Sequence, residues 1–192
     1  MKKNTITLDL DPQAGRWDGI ALILFHSIAP NYAFVDDLNH LYNLRLSRIE
    51  DLELNDLQWP LFSFNDTLRH LRYFVIERPA STTGAAPMWT PGHKMMILIG
   101  QQAEQQAKTI HDEFSSATTP DDPNDIIAAQ HTKLLDNIRS DFTTTTLLDP
   151  TAPPPASLRG KALRDYNDLF ALADTIVETM DIKYKIYTTD AW

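Results

Sequence analysis

The stretch from Pro87 to Gln102, PMWTPGHKMMILIGQQ, holds the residue types closest to a reaction centre. His93 could act as a general base, because imidazole titrates near neutral pH, and Lys94 could hold an anion beside it. Trp89 could stack over a bound ligand. The adjacent sequence offers no nucleophile with an orienting carboxylate. The residues therefore favour a plain Pro-Gly turn, with His93 and Lys94 solvated where a strand begins, and we assign no catalytic residue.

The same region predicts a contact with another protein. Residues 79–91 are low in charge and rich in Pro, Gly, Ala and Thr, which predicts a long exposed loop. An exposed aromatic side chain in such a setting is a common interface anchor. The predicted partner-binding residues are Met88, Trp89, His93 and Lys94.

Metal binding is considered at two other places. Asp36 and His40 share a helical face, but two ligands fall short of the three or more that a metal usually needs, so we predict a local side-chain pair. Residues 111–113 (HDE) and His131 lie on consecutive predicted helices, yet the usual Glu-x-x-His signature is missing. His131 is predicted to be a core histidine. The chain has no cysteine and no Gly-rich phosphate loop. We predict no metal ligand and no cofactor.

Hydrophobic periodicity predicts strands and one helix in the first half of the chain. Residues 4–10 alternate strictly and predict an amphipathic strand, whereas residues 19–28 fit either a buried strand or a short buried helix. Residues 31–44 have apolar side chains at helical spacing. Three strand-like pieces follow, LRLSRI, PLFSFND and RYFVIER. Residues 95–100, MMILIG, predict a central strand because both of its faces are apolar.

The second half of the chain has helical periodicity. Amphipathic helices are predicted over residues 103–114, 126–142 and 160–180. Residues 182–187 alternate and predict a late edge strand. This segregation predicts an α+β fold, with a mostly antiparallel sheet from the N-terminal half that is covered by helices on one face, and with further C-terminal helices.

Composition also predicts the domain organisation. Residues 1–142 are expected to form the α+β core domain. Residues 143–158 are rich in Thr and Pro and predict a linker. Residues 159–192 are expected to form a C-terminal helix and tail packed on the core, with the terminal Trp192 docked on its own domain.

Part of the chain resembles a family of small bacterial proteins of unknown function, which is named after an Ile-Pro-Glu-x-x-x-Val-Asp-Tyr motif. The similarity covers residues 4–105 and is carried by NYAFVDDLNHLYNL, RLSRIEDLEL, PLFSFND and RYFVIERP in this order. The naming motif would fall on residues 90–98, where only Pro91 agrees. The resemblance implies a bacterial protein, and it brings no activity with it.

Charge and hydropathy narrow the function classes. The net charge of −9 and the sequence pI near 5.0 disfavour binding to nucleic acids and to anionic membranes. The N-terminus lacks the apolar segment of a signal peptide, and the longest apolar run, Ile20–Phe25, is far too short to span a bilayer. These features predict a cytoplasmic protein.

The function predicted from the sequence is non-catalytic binding of another protein. Two alternatives stay open at this point. One is a metal-dependent or histidine-based hydrolase, assembled from histidines that are distant in sequence. The other is a small-ligand carrier, which would need a large apolar pocket.

Overall fold

The structure is a computed structural model that describes residues 17–27, 29–80, 89, 91–115, 142–150, 154 and 156–184. In chain order its elements are β1 (Ile20–Ser27), α1 (Asn31–Tyr42), β2 (Ser47–Arg48), β3 (Leu52–Leu54), β4 (Leu57–Trp59), β5 (Leu61–Asp66), β6 (Leu71–Glu77), β7 (Lys94–Ile99), α2 (Ala103–Ser115), β8 (Phe142–Leu148) and α3 (Gly160–Tyr184). Six strands form an antiparallel sheet in the order β2-β5-β6-β7-β1-β8, and β3 and β4 form a separate two-stranded ribbon. The predicted α+β fold is confirmed.

The apolar segment that periodicity left undecided is strand β1. It lies inside the sheet, pairing with β7 on one side and with β8 on the other. Residues 20–25 are all buried. A strand covered on both faces needs apolar side chains at every position, which explains why the segment shows no alternation.

Helices cover both faces of the sheet. Alternate residues of β1 divide between two hydrophobic cores, because successive side chains of a strand point to opposite faces. Ala21, Ile23 and Phe25 pack with α1 and α2, on what we call the α1–α2 face. Leu22 and Leu24 pack with α3, on what we call the α3 face. The expectation that helices cover only one face is therefore wrong, since α3 covers the second.

Several predicted elements are confirmed. α1 begins at Asn31 as expected, and β5, β6 and the central strand β7 lie where strands were predicted. The predicted stripe of α2 is buried: Ala103, Ala107, Ile110 and Phe114. Asn55 and Asp56 both have positive φ, of 53° and 60°. This is the conformation of a two-residue hairpin turn between β3 and β4, and these two residue types tolerate it.

Other predictions are wrong or fall outside the described residues. Of the strand predicted over LRLSRI, only Ser47–Arg48 is a strand. Residues 143–148 were assigned to a linker but belong to β8, where the β-branched threonines favour a strand. The edge strand predicted over residues 182–187 is wrong at its start, because α3 continues to Tyr184. The predicted strand at residues 4–10, the helix over residues 126–141 and Trp192 lie outside the described residues.

Candidate functional site at the strand ends

Charged and aromatic side chains gather where three neighbouring strands end. β1 ends at Ser27, β6 ends at Glu77 and β7 begins at Lys94. Because the strands are antiparallel, these ends lie side by side, with Lys94 paired to Phe25 on one side and to Glu77 on the other. We call the following residues the strand-end cluster: His26, Glu77, Arg78, Trp89, His93 and Lys94.

Lys94 lies on the α1–α2 face and is only 1% exposed. Its Nζ donates hydrogen bonds to the carbonyl oxygens of Ala29, at 2.5 Å, and Gly92, at 2.8 Å. The Glu77 carboxylate lies 3.7 Å from the same nitrogen. The two carbonyl oxygens accept hydrogen bonds from the ammonium group, and the carboxylate forms an ion pair with it. Lys94 therefore ties β7 to the segment between β1 and α1, and it is not placed to hold an external anion.

Glu77 and Lys94 stabilise each other's charged form. Burial raises the pKa of Glu77, while Lys94 and a hydrogen bond from Asn31 act in the opposite direction. Burial lowers the pKa of Lys94, and Glu77 opposes that shift. The Phe34 ring adds a cation–π contact, with its centroid 5.7 Å from Nζ. The Lys94 side chain is 2% exposed and that of Glu77 is 22% exposed, so the ion pair is partly buried, and removing one charge would leave the other without its counter-charge.

Trp89 is fully buried on the α3 face. Its ring centroid lies 5.6 Å from that of Trp59, and its Nε1 donates a hydrogen bond of 3.0 Å to the carbonyl of His93. Arg78 is also buried, and its Nη1 donates to the carbonyl oxygen of Trp89. Backbone hydrogen bonds join Arg78 to His93 and to Gly92. The end of the loop between β6 and β7 is therefore fastened against the sheet.

His26, His93 and Glu77 are the partly exposed members of the cluster, and the two imidazoles contact each other. Their Nδ1 atoms are 3.2 Å apart and their ring planes meet at 82°, although the residues are 67 positions apart in sequence. Burial lowers the pKa of both imidazoles, and His26 and Lys94 lower that of His93 further. These shifts favour the neutral form of both rings. A hydrogen bond between two neutral rings needs one Nδ1–H group as the donor and the bare Nδ1 of the other ring as the acceptor.

This arrangement does not form a nucleophile and base pair. Ser27, the hydroxyl nearest to His26 along the chain, is fully buried. Its Oγ accepts a hydrogen bond from the backbone N–H of Ala29 at 3.1 Å. A general base needs a substrate proton within reach, and a nucleophile needs access to the substrate. The cluster therefore resembles a set of structural contacts with one accessible imidazole pair.

The structure corrects the solvent exposure expected for the predicted site residues. Trp89 and Lys94 were expected at the surface and are both buried, because the indole packs on Trp59 and the ammonium finds acceptors inside the fold. His93 is half-buried, and Met88 lies outside the described residues. The partner-binding role of these four residues stays a prediction, but an exposed Trp89 anchor is excluded.

Sequence reasoning missed three members of the cluster. His26 lay in the segment that fitted either a strand or a helix, Glu77 and Arg78 ended a predicted strand, and no contact of the three with His93 or Lys94 was predicted. One signal was present, since each is a polar or charged residue at the end of a largely apolar segment. Which strand ends lie together depends on the pairing of the strands, and the local pattern does not contain that information.

The other candidate metal sites can be checked in part. His40 Nδ1 donates to the carbonyl oxygen of Asp36 at 2.8 Å and lies 3.6 Å from its carboxylate, which confirms the local pair. His111 lies 3.3 Å from Asp112, while His131 is outside the described residues. Within the described part of the chain, no three His, Asp or Glu side chains are grouped to hold a metal ion. The alternative of a hydrolase stays a prediction.

A shallow cleft of about 270 Å³ lies at the opposite end of the sheet. Its apolar walls include Trp17, Ile20 and Leu148, and its polar residues are Glu104, Lys108 and Asp149. The cleft is open and mixed in character. It differs from the large apolar pocket expected of a small-ligand carrier, so it does not favour that alternative.

No family model, curated protein or solved structure matches this chain. The resemblance to the family named after the Ile-Pro-Glu motif therefore stays a prediction. Within the described ranges, no helix combines the length and the apolar character needed to span a lipid bilayer.

Proposed function

We propose that this chain is a non-catalytic protein that binds an extended segment of another protein along the outer edge of β8. One observation carries the proposal: β8 is a seven-residue strand at the edge of the sheet, and none of its residues is charged. Among the described residues, no strand pairs with its outer side. An edge strand presents unpaired backbone N–H and C=O groups, which an added strand can satisfy.

The two edges of the sheet differ in their protection. The opposite edge strand, β2, has only two residues, and its Arg48 makes two hydrogen bonds to Asp51, at 2.8 and 2.9 Å. Short length and charge are the usual means by which proteins prevent an edge from pairing. β8 has neither, and Leu147 on this strand is 37% exposed. This contrast supports β8 as the docking edge.

The charge of the chain favours a different protein over a second copy. The net charge is −9, and the exposed Asp149 directly follows β8. Two identical chains would repel each other at this edge, whereas a neutral or basic segment would not. The partner we propose is therefore an extended, uncharged or basic peptide segment of another protein.

The internal contacts of the strand-end cluster support a non-catalytic role. The Lys94 ammonium and the Trp89 indole donate to acceptors of the chain itself. A cytoplasmic location belongs to the same proposal, and the absence of cysteine is compatible with a reducing compartment. A bacterial source, which the family resemblance implies, also remains part of the proposal.

The proposal is tested with one substitution made at two sites. A stoichiometric partner is first purified by pull-down from native lysate, and its affinity is measured for the parent protein, Leu147→Lys and Leu68→Lys. Leu68 is the matched control, since it is 93% exposed and lies at the tip between β5 and β6, outside β8. We expect Leu147→Lys to weaken binding at least about tenfold, because a charge on an edge strand hinders the addition of another strand.

Three outcomes would overturn the proposal. One is equal affinity for both variants, and another is a monomer by light scattering for which no stoichiometric partner is found. The third is that Leu147→Lys lowers the stability of the chain but leaves its affinity for the partner unchanged. That result would mean that a segment of the chain itself, such as residues 4–10, pairs with the outer edge of β8.

A further inference from the structure

The cleft at the far end of the sheet lies against the proposed docking edge. Three segments line it, namely the last residues of β8 with those that follow, the start of β1 and the first turns of α2. We propose that this cleft recognises the segment docked on β8 by taking up one of its long cationic side chains, an arginine or a lysine. This recognition rests on the proposed function, because the segment must pair with β8 to bring that side chain to the cleft.

The pairing of β8 decides which side chains of a docked segment face the cleft. Leu147 pairs with Ile23, which lies in the core of the α1–α2 face, so the Leu147 side chain points to that face. α2 covers the same face, where the Ser115 hydroxyl lies 3.1 Å from that of Thr145 on β8. Residues directly opposite each other in an antiparallel pair lie on one face, with their Cβ atoms about 4.5–5.5 Å apart. The residue of the segment opposite Leu147 therefore points toward α2, beside the cleft.

The size and the walls of the cleft suit a single long side chain. Its volume is about 270 Å³, whereas pockets that enclose whole small molecules usually measure about 300–1,000 Å³. Trp17, Ile20 and Leu148 are buried and give the cleft apolar walls. Glu104 and Asp149 are exposed and bring carboxylates to it from the solvent side. Arginine and lysine match this arrangement, because their stems pack on apolar surface while their charged ends stay near water.

The charges at the cleft favour a cation. Among the described residues that line it, the carboxylates of Glu104 and Asp149 outnumber the single ammonium group of Lys108. The net charge of the whole chain, −9, acts in the same direction by steering basic segments toward the surface. Arginine is also among the side chains that most often anchor interfaces. The proposed partner is therefore narrowed from an uncharged or basic segment to one with a cationic side chain opposite Leu147.

Two peptides as long as β8 test this recognition. In both, threonine and valine alternate, and the central residue is arginine in one and citrulline, its uncharged isostere, in the other. Binding to the parent protein is measured by isothermal titration at low and at physiological salt. We expect the arginine peptide to bind about tenfold more tightly at low salt, which corresponds to two exposed charge pairs. Part of this preference should disappear at physiological salt, because exposed charges are screened.

Substitutions in the chain give the matched comparison. The double variant Glu104→Gln with Asp149→Asn removes both carboxylates at nearly constant shape, and it should remove the preference for arginine without weakening the citrulline peptide. Glu53→Gln, at an exposed carboxylate of β3, should leave the preference unchanged. Leu147→Lys places a charge on the edge strand and should weaken both peptides. Circular dichroism spectra of each variant check that the fold is retained.

The outcomes separate the cleft from the docking edge. Equal affinity of the two peptides for the parent protein, or no binding of either, would overturn the role of the cleft. A preference for arginine that persists in the double variant, or that Glu53→Gln also removes, would overturn it as well. If Leu147→Lys weakens both peptides while the parent protein does not distinguish them, the docking edge stands and only the cleft fails. If Leu147→Lys weakens neither peptide that the parent protein binds, the docking edge fails, and the recognition that rests on it fails too.

Discussion

Replacing Trp89 with alanine separates a buried core residue from an exposed interface anchor. In the structure the indole is fully buried, packs on Trp59 and donates a hydrogen bond to the carbonyl of His93. Trp89→Ala therefore removes a large apolar side chain from the core and one of the two hydrogen bonds that the His93 carbonyl accepts, the other coming from the backbone N–H of Arg78. A surface anchor would lose neither of these contacts.

The expected loss of stability follows from these contacts. Truncating a buried aromatic side chain to alanine lowers the free energy of unfolding by about 3–5 kcal/mol. The pair with Trp59 contributes about 0.5–1.5 kcal/mol of this through ring geometry. We expect a total of about 4 kcal/mol, which is a large part of the roughly 5–15 kcal/mol that stabilises a typical domain. For a chain of this size the melting temperature should fall by roughly 8–16 °C.

The assay is urea unfolding followed by far-ultraviolet circular dichroism, because the substitution itself changes the tryptophan fluorescence. Trp89→Phe keeps an apolar ring without the N–H group, and it should lose less stability than Trp89→Ala. Leu68→Ala is the surface control, and it should stay within about 0.5 kcal/mol of the parent protein.

A loss of less than about 1 kcal/mol for Trp89→Ala would refute this reasoning, since surface substitutions have effects of that size. If the same variant also weakened the binding of a partner, Trp89 would be an exposed anchor, as the loop composition first indicated.

Three further predictions concern the strand ends and the stability of the chain. Lys94→Met should lower the free energy of unfolding by about 3–5 kcal/mol, because it leaves the Glu77 carboxylate without its counter-charge, and adding Glu77→Gln should restore part of the loss in urea unfolding. Gly100→Ala should destabilise the chain more than Gly92→Ala. A Cβ at Gly100 would lie 2.2 Å from the carbonyl oxygen of His70, whereas a Cβ at Gly92 would meet no atom within 4 Å. Equal melting temperatures of the two variants would contradict this prediction. Stability should fall between about pH 7 and about pH 5, because the unfolded chain binds protons at histidines whose pKa the fold lowers. Replacing His26 or His93 with Gln should make the free energy of unfolding depend less on pH. The raised pKa of Glu77 has the opposite effect on stability, but it acts equally in the parent protein and in the variant. An unchanged pH dependence in the variant would therefore contradict the lowered pKa of the histidines.

The helices were the most predictable part of the fold. The stripes of α1 and α2 were correctly located from the spacing of their apolar residues, since a helix that packs on a sheet needs one apolar face. The strand β1 was ambiguous for the opposite reason, because burial on both faces removes the alternation that identifies a strand. β8 was missed because its threonines, next to a Pro-rich stretch, resemble a linker in composition alone.

The candidate site was only partly predictable. His93 and Lys94 stood out because they precede a buried strand, but solvation was expected for both. Lys94 is buried because acceptors from two other segments reach it, namely the carbonyl of Ala29 and the carboxylate of Glu77. Such acceptors are supplied by residues distant in sequence, so the local composition could not show that a charged side chain would be satisfied inside the fold.

Composition and periodicity along the backbone were enough to predict the class of the fold, the amphipathic faces of its helices and the acidic, cysteine-free character of the chain. Only the folded arrangement shows that His26 meets His93, that Glu77 meets Lys94 and that, among the described residues, an uncharged strand forms one edge of the sheet. These features depend on which strands become neighbours and in which register. That choice is made by the packing of the whole chain, in which residues far apart in sequence are brought into contact.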